Sequence, residues 1–168
     1  MLARVLAATV AGGIAFFILG FLIFGLLLDP IVIKPNMNTY PGLVNETPVF
    51  LPLVLSNFVS ALLLAYIFDK WASISTFVGG LKGGGIVWFL MSIASQLLFI
   101  AFFNLSKNYI PQIADMVGST VMGAIGGGVI GMVLGLMKKN AGTAAGESPG
   151  KIELDAAGPD RPAGELSL

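Results

Sequence analysis

Four long apolar stretches decide what this chain can fold into. Residues 5–28 and 50–68 carry no charged side chain, while residues 81–103 and 113–137 carry one each, Lys82 and Asp115. A helix needs about 20 mostly apolar residues to cross a bilayer. At about 1.5 Å per residue the first stretch reaches roughly 36 Å, enough to cross with some tilt. Hydrocarbon offers the backbone no hydrogen-bond partner, so segments immersed in it must satisfy their own N–H and C=O groups as helices.

Composition supports lipid as the solvent. Hydrophobic residues make up 56% of the 168 positions, charged residues 11%, and the mean hydropathy is +0.91. Soluble domains carry about 25% charge. A core of this size cannot hide so much apolar surface, and the surplus must face lipid. The expected fold is therefore all-α: a transmembrane up-down four-helix bundle over residues 1–139, its short second and third connections favouring antiparallel neighbours. Asp29-Pro30 reads as the stop of the first helix, since Pro breaks a helix and Asp resists hydrocarbon. The first stretch is too long for a cleaved signal segment and reads as a retained helix. Residues 140–168 turn rich in Ala, Gly, Pro and acidic residues. Such a composition buries too little to offset chain entropy, so a disordered tail is expected.

The residue inventory narrows the chemistry. The chain has no Cys and no His, which removes disulfides, thiolate nucleophiles, Cys/His zinc sites and His-based catalysis. No cofactor and no metal site are expected. The formal net charge is zero, so no basic field for nucleic acid exists. An enzyme would have to draw its catalytic groups from Asp115, Asp69, Lys70, Lys82, Asn57, Gln96 or Tyr66. These form no recognisable constellation, and a non-enzymatic protein is the expectation.

Positive charge marks the cytoplasmic side of a membrane protein. Arg4, Lys70, Lys82, Lys138 and Lys139 fall on one face, Lys34 and Lys107 on the other. This distribution places both termini inside. Residues 79–85, with five glycines around Leu81 and Lys82, lack the Ser/Thr and the preceding strand of a phosphate-binding loop. They read as a short flexible turn entering the third helix.

Ser119, Gly123, Gly127, Gly131 and Gly135 place a small residue at every fourth position of the last stretch. Residues four apart share a helix face, and a stripe of small ones lets another backbone approach closely. The partner is either an intrachain neighbour, with Ala8, Gly12 and Gly20 of the first helix offering a matching spacing, or a second copy. The second copy would make a homo-oligomer able to form a small-solute or ion channel or carrier. Asn57, Gln96 and Asp115 fall at similar depth and are the candidates for one polar cluster. That cluster would serve either interhelical hydrogen bonding or, through the ionisable Asp115, a proton or solute site.

The order of these features carries a resemblance. Gly12-Gly13 and Phe24-Gly25-Leu26 mark the first helix, Ala65-Tyr66-Ile67-Phe68 closes the second, and a Gly-rich segment follows from Thr76. Ile113-Ala114-Asp115 then leads into the Gly-rich last helix. Over about residues 5–137 the chain resembles small bacterial membrane proteins of a domain-of-unknown-function type with four helices. The resemblance implies the fold and a bacterial cytoplasmic membrane, with the lipid bilayer as partner. It implies no activity, no cofactor and no particular protein partner.

Overall fold

The computed structural model describes residues 2–42, 45 and 47–146. The described residues form four helices apolar and long enough to span a membrane. α1 is Leu2–Gly20, continued without a break by a π-helical segment, Phe21–Ile33, and a 3-10 turn, Lys34–Asn36. α2 is Phe50–Lys70, α3 is Phe77–Phe102 and α4 is Ile110–Gly146. The bundle occupies Met1–Lys138. The expected tail from residue 147 onward lies outside the described residues, whereas residues 140–146 are helical and extend α4 past the expected boundary.

The first helix does not stop at Asp29-Pro30. Proline has no N–H to donate, and its ring crowds the carbonyl four residues back. Widening the turn to an i→i+5 pattern moves that carbonyl aside, and the chain stays helical. The pattern is explicit at the end of the segment, where the Lys34 N–H donates to the Asp29 carbonyl. It also brings side chains five apart into register. Lys34 Nζ lies 2.9 Å from Asp29 Oδ2, a pairing that an α-helix would favour at three or four residues instead.

Nor do residues 79–85 form a flexible turn: they are the first turns of α3. Thr76, in extended conformation, accepts the Gly79 N–H on its hydroxyl at 3.1 Å and so caps the helix, as threonine does at N-terminal positions. Glycine weakens a helix in isolation, so tertiary packing must explain the run.

That packing follows the antiparallel order. At one end Arg4 of α1 pairs with Asp69 of α2, and Arg4, Asp69, Ser75, Leu134 and Lys138 surround a small cavity of about 50 Å³. At the other end Met37 pairs with Ser106 in a single antiparallel bridge, and the Asn38 N–H donates to the Leu105 carbonyl at 2.7 Å. The core between these ends contains Val5, Ala8, Phe16, Ala61, Leu64, Ala65, Phe68, Ile130 and Leu134. Phe16 stacks on Trp88 at 5.0 Å between ring centres. Outside this core the surface is apolar: Leu22, Val59, Leu63, Leu97 and Val117 are all exposed. A soluble protein does not display apolar surface on this scale, whereas hydrocarbon accepts it.

Candidate functional site

The small-residue stripe of α4 meets α3. A Cβ on Gly80 would overlap the Gly127 carbonyl oxygen, and one on Gly84 would overlap that of Gly123. In the other direction, a Cβ on Gly127 would lie 2.5 Å from the Gly80 oxygen, and one on Gly131 2.5 Å from that of Thr76. At the stripe's ends, Gly123 also faces Trp88 and Gly135 faces the Ser75 carbonyl. Backbone lies against backbone for several turns, an approach that side chains would prevent. Gly80 and Gly84 are thus the complementary half of the contact, Gly85 lies against Ala124, and Gly79 and Gly83 turn instead toward Ile74 and Phe68. α1 meets a neighbouring face of α4, where Gly12 abuts Ile130 and Gly126 abuts the Phe16 ring.

Of the three candidate polar residues, the structure joins two. Gln96 Nε2 of α3 donates to Asp115 Oδ2 of α4 at 2.6 Å, and Ser119, one turn along α4, also bonds the carboxylate. Ser119 therefore ends the glycine stripe as a hydrogen-bonding residue. Asn57 does not join them. Its side-chain amide donates to the Leu53 carbonyl of its own helix at 2.7 Å. It lines a different, largely apolar recess of about 430 Å³ between the π segment and α2, with Phe21, Phe24 and Leu53. Equal depth in the sequence does not place two side chains on facing sides of their helices.

Other polar groups in the spans turn back to their own backbones. Thr9 donates to the Val5 carbonyl, Ser92 to Phe89, Thr120 to Met116. Such bonds satisfy a hydroxyl without linking helices. The Gln96–Asp115 pair differs in joining two helices. Among the described residues no three of His, Cys, Asp and Glu gather in a group able to hold a metal ion.

Two clusters were not singled out by sequence. The Asp69 side chain is 3% exposed and its carboxylate sits between Arg4 and Lys70, the latter at 3.9 Å. Sequence marks Arg4 as a topology signal and Asp69 only as one of the scattered polar groups, and nothing in it pairs residues so far apart. The other cluster surrounds Gln112, a buried carboxamide in the first turn of α4. Its position directly after Pro111, at the start of an apolar run, was the available signal.

This is the make-up of an integral membrane protein: four spanning-length apolar helices, of which α3 and α4 touch through their backbones. Compared with protein-family models, with curated proteins and with solved structures, the chain finds no match.

Proposed function

We propose that the protein is a non-enzymatic structural or accessory component of a bacterial cytoplasmic membrane, with both termini in the cytoplasm. The observation that carries this reading is the backbone-to-backbone seam between α3 and α4. Glycines aligned this way give a bundle little room for a water-filled path and much resistance to sliding. The intramembrane carboxylate of Asp115 is held by Gln96 across the same helix pair, a use of polar side chains that fastens helices at about 0.6 kcal/mol per bond.

A second reading is a small-solute or ion carrier, and Asp115 favours it, since an ionisable group within a span commonly marks a transport path. The version built by oligomerisation through Ser119, Gly123, Gly127, Gly131 and Gly135 would need α3 to leave that face, because Gly80 and Gly84 cover it. Flux separates the two readings. Vesicles containing the purified chain should pass protons and small solutes no faster than empty vesicles. Uptake that rises with the protein and disappears in Asp115→Asn would overturn the structural reading in favour of the carrier.

A further inference from the structure

A cleft of about 470 Å³ opens where residues 100–103 at the end of α3, the following loop and the first turn of α4 meet. α3 ends at Phe102 and α4 begins at Ile110, so the cleft lies at the end of two spans, at the depth of lipid headgroups. Its walls differ in chemistry. Ile100, Phe102 and Phe103 give an apolar side that continues the lipid-facing surface, and Ser106, Lys107 and Gln112 give a polar one. Gln112 is only 5% exposed. Its Nε2 donates to Ser106 Oγ at 2.5 Å, but its Oε1 has no hydrogen-bond partner. A buried carbonyl oxygen is costly to leave unpaired. Lys107 is exposed, and its ammonium donates to the Pro35 carbonyl at 3.0 Å. An ammonium has three donors, and that bond uses one. The amino end of α4 adds a partial positive charge at the same place.

We propose that this cleft binds a membrane phospholipid whose headgroup carries both a phosphate and a hydrogen-bond donor. The phosphate accepts from Lys107 Nζ, the headgroup hydroxyl or ammonium donates to Gln112 Oε1, and an acyl chain lies along Ile100 and Phe103. Phosphatidylethanolamine and phosphatidylglycerol meet both requirements. Phosphatidylcholine has the phosphate and no donor.

The test is native mass spectrometry of the full chain in detergent, titrated with these three lipids carrying identical acyl chains. A hydrogen bond from a neutral hydroxyl corresponds to about fivefold in affinity and one from an ammonium to about tenfold or more, so the glycerol lipid should be retained about fivefold and the ethanolamine lipid about tenfold over the choline lipid. Lys107→Gln, at an exposed position, should weaken all three, and Gln112→Leu should erase the preference for the ethanolamine lipid over the choline lipid, which share the same net charge. Because Gln112→Leu also removes the bond to Ser106, a second series leaves the protein untouched. Stepwise N-methylation of the ethanolamine lipid should hold retention until the last N–H is lost, then drop it to the choline level. Equal retention of all three lipids by the parent, or a preference for the ethanolamine over the choline lipid that survives Gln112→Leu, overturns the proposal. So does displacement of the lipid by soluble glycerol phosphate at equal concentration, which would make the ligand a free phosphate ester.

Discussion

A single methyl group measures how closely α3 and α4 approach. In Gly127→Ala the new Cβ would lie 2.5 Å from the Gly80 oxygen and 2.8 Å from the Gly84 Cα. Both are backbone atoms, which cannot rotate away, so the helices must part. Overpacking of this kind costs about 1–3 kcal/mol, and thermal unfolding in detergent should show a lowered midpoint. Gly20→Ala is the matched control. There the nearest atom to the new Cβ is Met122 Sδ at 3.7 Å, an ordinary contact with a flexible side chain. Alanine also restricts the unfolded chain and favours the helix, so stability should stay level or rise by up to about 1 kcal/mol. If the two variants behave alike, the seam is looser than its geometry implies. Ser73 offers an independent residue-scale test. It sits at φ +51° just after α2, in the left-handed region that glycine tolerates and other residues seldom adopt. Ser73→Gly should not lower the unfolding midpoint, whereas Ser73→Val should lower it through strain at a β-branched residue, by about 1 kcal/mol or more.

Between elements, the Arg4–Asp69 pair ties the start of α1 to the end of α2. Removing one partner of a buried pair leaves the other charge uncompensated, at about 3–5 kcal/mol when both are fully buried. Arg4 keeps 24% of its side chain exposed, so Asp69→Asn should cost nearer the bottom of that range or below, about 2–3 kcal/mol. A double-mutant cycle with Arg4→Met in detergent isolates the coupling, and a coupling of zero would mean the pair is incidental. Four spans were legible from sequence because apolar length is a one-dimensional property. The fate of Asp29-Pro30 was not, since proline reads as a terminator unless the helix can widen to accommodate it. The glycines of residues 79–85 read as a turn for a related reason: low intrinsic helicity is visible locally, and the packing that offsets it, with the α4 backbone against Gly80 and Gly84, is not. The stripe on α4 was legible as a packing face, but its partner was not: sequence offered α1 or a second copy, whereas the α3 glycines that meet it read as a turn. Gln96 with Asp115 could be anticipated from depth along the spans. That Asn57 bonds its own helix depends on rotation about the α2 axis, which an evenly apolar helix does not encode. The pair in the structure joins facing sides of α3 and α4, and Asn57 lies beside the π segment.

For the molecule as a whole, the distribution of charge between the two ends leads to an orientation. Arg4, Asp69 and Lys138 share one end cavity, with Lys70 beside Asp69. At the opposite end the Lys107 ammonium and backbone bond residues 35 and 36, next to Lys34. Cationic residues close to a span are retained in the cytoplasm during insertion, so the Arg4 end should face inward. The chain has no cysteine, which makes single introduced thiols unambiguous reporters. Ser73→Cys lies by the Arg4 end and Thr39→Cys just beyond the Met37 bridge on the opposite side. In intact cells a membrane-impermeant maleimide should label the position 39 thiol and leave the position 73 thiol unmodified until the membrane is opened. Labelling of both before opening would contradict a spanning arrangement altogether. Labelling of position 73 alone would turn the molecule over. The positively charged residues would then mark the outside, and the lipid cleft beside Gln112 would draw from the cytoplasmic leaflet.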